Sequence, residues 1–166
     1  DNYEDITYEG YGPNGIAVMV KALTDNRNRT AANMRHYFDK YGGNLGTNGC
    51  ASIMFERKGI IVVEKENVAD EDELTMAALD AGALDITDSD DCFEIITEPA
   101  DVWNVSETLT NAGITVADTE DTYAPITTVE LTDPDHIKNM TKLVEMLEDD
   151  DDVQDVYHNW DEPDEE

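Results

Sequence analysis

The chain has 166 residues, with 40 acidic side chains against 10 lysines and arginines, and a formal net charge of −30 at pH 7. A charge of this sign and size excludes a uniformly basic nucleic-acid coat protein. Because 40% of the residues are apolar, the composition also excludes a wholly disordered chain. No stretch approaches the roughly 18 consecutive apolar residues that a membrane span needs.

The two cysteines and the first ten residues indicate the cellular compartment of the protein. Cys50 and Cys92 lie far apart without the spacing of zinc ligands, so we expect buried thiols in a reducing compartment. Residues 1–10 have neither the basic region nor the apolar region of a signal peptide. The expected location is the cytoplasm.

A hairpin and a helix are the first elements predicted in chain order. Two β-rich runs, 6–11 and 15–23, flank the turn composition Pro13-Asn14-Gly15. A helix over 29–41 follows, because apolar side chains recur at i, i+3, i+4 and i+7 ahead of a C-cap glycine. These residues are Met34, Tyr37, Phe38, Tyr41 and then Gly42. Strands are expected at 50–56 and 59–64.

The middle of the chain continues as strand, helix, strand, strand, helix, strand. After the strand at 59–64, the predicted elements are a helix at 74–81, strands at 85–87 and 92–97, a helix at 102–112 and a strand at 114–117. This order is typical of the ferredoxin-like split βαβ arrangement.

The last part of the chain completes a second copy of that order. A strand is expected at 127–131, a helix begins with Asp133 as N-cap and Pro134 at the first helical position, and a strand follows at 154–159. The predicted class is therefore α+β, with one ferredoxin-like domain inserted into another. A single larger sheet is the alternative, and it needs more crossovers than the short connections permit.

The predicted domain boundaries follow from this pairing. Residues 1–58 and 125–160 form the discontinuous outer domain, and residues 59–124 form the inserted domain. Residues 161–166, rich in aspartate and glutamate, are expected to be a disordered acidic tail.

Four stretches of the chain resemble the YebC family, in order and spacing. They are Glu9-Gly10-Tyr11-Gly12-Pro13-Asn14-Gly15, Thr24-Asp25-Asn26-Arg27-Asn28-Arg29-Thr30, Gly42-Gly43-Asn44-Leu45-Gly46 and Met146-Leu147-Glu148-Asp149 with Asp152-Val153-Gln154-Asp155-Val156-Tyr157-His158-Asn159. Members of that family are described as transcriptional regulators, and the mitochondrial ones as translational activators of cytochrome oxidase subunit one. Family members begin with a basic helical domain that has no counterpart in this sequence. The resemblance therefore implies the second and third domains only.

The charge distribution gives an independent argument for a phosphate-binding patch. Residues 21–58 carry seven basic groups against three acidic ones, whereas residues 59–166 carry three lysines against 33 carboxylates. Arg27 and Arg29 lie at or just before the first turn of the predicted helix, where the macrodipole disfavours cations. Free backbone N–H groups at that helix start and arginine side chains could bind one anion together.

The second predicted strand adds cations to the same patch. The first two strands of a ferredoxin-like unit run parallel, so we expect Arg57 and Lys58 to meet Arg27 and Arg29 at one edge. The candidate nucleic-acid-binding residues are Arg27, Arg29, Arg57, Lys58, Asn26 and Asn28. The alternative is that Asp25, or carboxylates of the inserted domain, pair with these arginines and fix the domain junction.

A second candidate surface comes from the glycine segments. Gly42 to Gly46 leave the helix about 18 Å from its start at 1.5 Å per residue, so they lie at the opposite end from Arg27, beside the turn at 11–15. A helix cap with a tight turn is the simpler interpretation, and contact with rRNA backbone or a ribosomal protein is the functional one. The candidate residues are Tyr11, Gly12, Gly43, Asn44 and Gly46. Tyr11 either stacks on an RNA base or is partly buried in its own hairpin.

Catalytic and metal-binding patterns are missing from the sequence. The histidines and serines are scattered and lie in no nucleophile-elbow motif. Asp149 to Asp152 lack the spaced ligands and central glycine of an EF-hand loop. We therefore expect no enzyme activity, no metal, no cofactor and no small-molecule substrate.

The favoured interpretation is a non-enzymatic translation factor that contacts rRNA at the ribosome and relieves stalling on proline-rich messages, as the resemblance implies. The alternative is a transcriptional regulator that binds duplex DNA, and a purely protein-binding acidic module is a third class. No membrane partner is expected. In a eukaryote the expected location becomes the mitochondrial matrix.

Overall fold

The structure, a computed structural model, describes residues 2–163, so residues 164–166 of the expected tail lie outside the described residues. The chain divides into two compact units. Unit 1 comprises Asp1–Glu56 and Ala124–Glu166, and unit 2 comprises Arg57–Tyr123. In chain order the elements are β1 (Glu4–Tyr11), β2 (Ala17–Thr24), α1 (Arg27–Lys40), β3 (Asn44–Leu45), β4 (Phe55–Glu64), α2 (Glu71–Ala81), β5 (Asp85–Asp88), β6 (Cys92–Thr97), α3 (Val102–Asn111), β7 (Asp118–Pro125), α4 (Pro134–Asp149) and β8 (Val153–His158). The predicted α+β class is confirmed.

The sheet of unit 1 has the strand order β3-β1-β2-β8, and all neighbours are antiparallel. Strands β1 and β2 form a hairpin in which Glu4 lies opposite Thr24 and Tyr11 lies opposite Ala17. A 3-10 turn at Pro13–Gly15 joins them, with Asn14 at a φ of 57° and Gly15 at 78°. The predicted hairpin is confirmed.

Two strands predicted for unit 1 are wrong. Ser52–Met54 form a 3-10 turn, after which β4 begins at Phe55 and continues without a break through the predicted boundary at Gly59. Within 127–131, only Val129 makes a parallel bridge, to Trp160. The position beside β2 is instead filled by β1, because a hairpin closes a short loop at lower entropic cost than a pairing across a hundred residues.

The core of unit 1 lies between β2 and the two helices α1 and α4. Its fully buried side chains come from these three elements and from Ile16, which precedes β2; they are Ile16, Val18, Val20, Met34, Phe38, Met140, Leu143 and Leu147. Helix α4 begins as predicted, with the Asp133 carboxylate accepting from the backbone N–H of Asp135 at 2.8 Å. The apolar spacing in the sequence also located the buried face of α1, where Met34 and Phe38 are fully buried.

Unit 2 has the strand order β5-β6-β4-β7, which is the predicted split βαβ arrangement. Helix α2 ends at Gly82, whose φ of 110° is the left-handed conformation of a C-cap glycine. The last strand is displaced from its predicted position at 114–117 and begins at Asp118. Ile114 and Val116 pack against the core from a loop, and the strand itself is mostly polar, so apolar content was a poor guide here.

Candidate nucleic-acid interface

The start of α1 is the centre of the predicted phosphate-binding patch. Asn26 is the N-cap, and its side-chain oxygen accepts from the backbone N–H of Arg29 at 3.1 Å. Arg27 and Arg29 occupy the first turn, which contains no acidic residue. The two cations therefore lie at the positive end of the helix dipole, as predicted.

The Arg29 side chain is bound to carboxylates of its own chain. Its Nη2 donates to both oxygens of Asp152 at 3.0 Å and to Asp25 at 3.1 Å. Thr30 Oγ1 also donates to Asp152, at 2.9 Å. Burial alone would raise the pKa of Asp152, but the hydrogen bonds from Thr30 and Arg29 outweigh it and lower that pKa. The anion at the start of α1 is thus Asp152 of unit 1. The alternative prediction named Asp25, which does pair with Arg29, but Asp152 was not among its predicted partners.

Arg27 is held much more weakly. Its Nη1 lies 3.3 Å from Glu4 Oε2, and the two side chains are 67% and 54% exposed. A surface ion pair of this kind contributes at most about 1 kcal/mol, because water solvates both groups well. Arg27 therefore remains accessible to an external anion.

Arg57 and Lys58 lie in unit 2, on β4. Arg57 binds Asp121 through two hydrogen bonds, from Nε at 3.0 Å and from Nη2 at 2.5 Å. These bonds raise the pKa of Arg57. Lys58 is half-buried and engaged with a partner of its own. Since the four cations are divided between the two units, their meeting at one edge stays a prediction.

An exposed face of α1 that carries Arg35 was not predicted. Asn28, Ala32, Arg35 and His36 are exposed at helical spacing, opposite the buried Met34 and Phe38, and we call them the outer face of α1. The Arg35 side chain makes no ion pair or hydrogen bond with any of residues 2–163. In the sequence, these four positions have the i, i+4, i+7, i+8 spacing of residues that share one helix face, which is the pattern that could have revealed them.

Charge differs sharply between α1 and unit 2. Helix α1 carries Arg27, Arg29, Arg35 and Lys40 against Asp39, a net charge of +3 with His36 neutral. Unit 2 carries 18 carboxylates against three basic side chains, a net charge of −15. A short cationic helix is thus embedded in a strongly anionic chain.

The opposite flank of α1 faces acidic residues. A groove there is lined by Arg29, Asn33 and Tyr37 of α1 and by the run Asp149 to Asp152. The Tyr37 hydroxyl donates to Asp150 Oδ2 at 2.8 Å, and burial together with this bond raises the pKa of Tyr37 to about 12. Anions are therefore repelled from the Arg29 side of the helix.

The predicted glycine loops do come together at the end of unit 1 opposite the start of α1. Asn44 of β3 pairs with Tyr11, and the half-buried Tyr11 donates its hydroxyl to the Cys50 carbonyl at 2.9 Å. Close packing explains the glycines. A Cβ would lie 2.1 Å from a backbone oxygen at Gly43, 2.7 Å from a methionine sulfur at Gly12 and 2.6 Å from a cysteine sulfur at Gly46. Contact of these loops with RNA or protein stays a prediction.

A buried carboxylate that the sequence did not reveal organises the neighbouring loop. Glu9 is 6% exposed and accepts backbone hydrogen bonds from Gly49 at 2.7 Å, Ala51 at 3.1 Å and Ser52 at 2.6 Å. Burial alone would raise the pKa of Glu9, but these donors outweigh it and lower that pKa. The donors lie about forty positions further along the chain, so no local pattern marks this residue.

Within residues 2–163, no three His, Cys, Asp or Glu side chains are grouped to hold a metal ion. Cys50 and Cys92 are half-buried free thiols. Over the same residues, no helix has the length and apolarity to cross a membrane.

Residues 3–160 match the protein family described as the TACO1/YebC second and third domain. The chain belongs to the TACO1/YebC family. This confirms the resemblance noted in the four sequence stretches, and it accounts for nearly all described residues.

Relatives of this YebC-type chain share more than half of its residues. It is 56% identical over 165 residues to a "Probable transcriptional regulatory protein" of Lachnospira eligens, which covers 99% of this chain and 67% of that protein. It is 57% identical over 159 residues to a protein of the same name from Acetivibrio thermocellus, covering 96% of this chain and 66% of the relative. The chain thus spans about two-thirds of the length of these relatives.

A solved structure has the same fold. The crystal structure of a conserved hypothetical protein from Aquifex aeolicus matches with a TM-score of 0.84 at 43% sequence identity. The match covers 99% of the YebC-type chain and 68% of the solved one.

Proposed function

We propose that this YebC-type chain is a non-enzymatic gene-expression factor that acts in translation at the ribosome. The relatives named as probable transcriptional regulatory proteins support a role in gene regulation. The observation that carries the choice of the ribosome is the uneven charge, with +3 on α1 and −15 on unit 2.

Duplex DNA is a poor partner for such a charge distribution. Specific duplex binding commonly uses about 6–10 phosphate contacts from lysine and arginine. The net charge of −30 repels a polyanion, and at least five of the ten basic side chains already have carboxylate partners. Binding to DNA by these two units alone would therefore be weak at physiological salt.

A ribonucleoprotein has an anionic RNA surface and basic protein surfaces, and this chain has a cationic helix and an acidic unit that complement them. RNA phosphates can approach the cationic α1, whereas basic ribosomal proteins can approach the acidic unit 2. Contact with rRNA and relief of stalling on proline-rich messages are the activities that the family resemblance implies. The alternative, a DNA-binding transcriptional regulator, is supported by the printed names of the relatives.

Ultraviolet crosslinking in living cells, followed by purification of the tagged protein and sequencing of the attached nucleic acid, tests the proposal. We expect enrichment of rRNA over DNA. Recovery of promoter DNA instead would establish the alternative. Absence of any attached nucleic acid would leave a protein-binding acidic module and refute both.

A further inference from the structure

We propose that Arg27 and the outer face of α1 bind the phosphodiester backbone of RNA, and that Arg29 and Arg57 do not. This inference rests on the proposed function and names the contact surface within it. The ligand chemistry is a run of phosphate groups rather than particular base edges, since the side chains available are cations and small polar groups.

Arg27 and Arg35 are accessible cations of α1. Arg35 is exposed and has no ion-pair partner among the residues that the structure describes, and Arg27 has one long, solvent-exposed contact. Both can exchange water or a weak partner for phosphate at small cost. The Glu4 carboxylate released from Arg27 is 54% exposed and is simply solvated.

Arg27 and Arg35 are spaced along α1 so that both can contact one RNA backbone. Arg27 and Arg35 are eight residues apart, or about 12 Å along the axis at 1.5 Å per residue. Ala31 and Ala32 lie between them, and these small side chains leave room for a backbone to approach the helix surface. Asn28 and His36 are exposed beside this row and add hydrogen-bond donors for phosphate or ribose oxygens.

A groove continues this surface beside Arg27. A cavity of about 410 Å³ is lined by Arg27 and Ala31 of α1 and also by Thr7 and Asn48. Two carboxylates, Asp5 and Glu9, also line it. The charge of Glu9 is partly compensated by the three backbone donors of its loop, and the exposed Asp5 is solvated by water. The groove thus offers an extended chain a path beside the cationic row.

Arg29 and Arg57 are held by carboxylates of the chain and do not bind RNA phosphate in this proposal. Asp152 is 14% exposed, so a phosphate that displaced it from Arg29 would leave a poorly solvated carboxylate without its cation. The acidic run Asp149 to Asp152 adds repulsion on that side. Arg57 is held by a two-bond contact with Asp121. Two exposed arginines, Arg35 and Arg57, should therefore behave differently.

Co-sedimentation with purified bacterial 70S ribosomes over a series of KCl concentrations tests this difference. Arg35→Gln and Arg57→Gln each remove one cation, so they form a matched pair with the same net charge. We expect Arg35→Gln to weaken binding several-fold and to reduce the slope of log K against log[salt] by about 0.7–0.9, the value for one lost phosphate contact. Arg57→Gln should change neither quantity appreciably. Circular dichroism and melting temperature check that both variants are folded.

The outcomes separate the two proposals. If the two variants weaken binding equally, only net charge matters and the α1 assignment is overturned while the ribosomal role stands. If the wild-type chain does not sediment with ribosomes, the proposed function fails and the α1 assignment fails with it. Crosslinked-peptide mapping of the ribosome complex should find RNA attached within residues 27–40. RNA attached only to peptides outside α1 would overturn the assignment even if Arg35→Gln weakens binding.

Discussion

The Glu9 carboxylate offers the sharpest test of the energetics of unit 1. In Glu9→Gln the side chain keeps its shape but loses its charge and one acceptor oxygen, while three backbone donors still point at it. At least one N–H group then faces an amide N–H₂ group instead of an acceptor. A buried donor left unsatisfied costs about 1–3 kcal/mol, and the remaining bonds lose their charge assistance, so we expect a loss of about 2–4 kcal/mol.

Urea denaturation measures this loss in unit 1 selectively. Trp160 of unit 1 is buried and Trp103 of unit 2 is 63% exposed, so a Trp103→Phe background leaves Trp160 as the fluorescent reporter. With a typical slope of about 2 kcal/mol per molar urea, the midpoint should fall by about 1–2 M. Asp5→Asn, an exposed substitution on the same strand, is the control and should leave the midpoint unchanged.

The pH dependence gives a second check on the same residue. The folded pKa of Glu9 is lowered, so its stabilising contribution is fully present above the ordinary glutamate pKa of about 4.3. The contribution is lost as the pH falls through the folded value. The difference between wild type and Glu9→Gln should therefore be constant near neutrality and shrink in acid. A shift in midpoint below about 0.3 M near neutral pH, equivalent to about 0.6 kcal/mol, would refute the reasoning.

Two further predictions concern other parts of unit 1. Gly43→Ala places a methyl group 2.1 Å from the Tyr11 carbonyl oxygen and should lower the free energy of unfolding by about 3 kcal/mol or more. Gly49→Ala meets no atom within 4 Å and carries only the left-handed strain of its φ of 93°, about 1–2 kcal/mol, so equal losses in urea melts would contradict this account. The raised pKa of Tyr37, about 12, predicts that Tyr37→Phe removes a phenol that ionises near pH 12 from a spectrophotometric titration of the folded protein. Loss of a phenol that ionises near the ordinary value of 10 would show that the hydroxyl is not buried against its carboxylate.

Local sequence signals predicted the helices and the shorter hairpins well. The buried pair Met34 and Phe38 located α1, and Asp133 with the following proline located the start of α4. Strand β6 has the predicted bounds Cys92–Thr97. These elements depend on side-chain period, capping and turn residues, all of which act within a few positions.

Features that depend on distant residues were not predicted. The salt bridge between Arg29 and Asp152 joins positions 123 residues apart, and the Glu9 loop contacts join positions about 40 apart. Strand β7 is polar along most of its length, so its hydrogen-bonded ladder left no hydrophobic signature. Arg35 was not among the predicted site residues, because its accessibility depends on the face of α1 that it occupies and not on its position along the chain.

The pairing of β2 with β8 has a consequence for the nascent protein. Val18 and His158 face each other although they are 140 residues apart, whereas every strand of the second sheet is complete by Pro125. As synthesis proceeds, unit 2 can finish folding before β8 has been made, so one edge of β2 is still unpaired. Chains interrupted before Val153 would carry an uncovered strand edge beside apolar Val18 and Val20, a surface prone to join a second such chain.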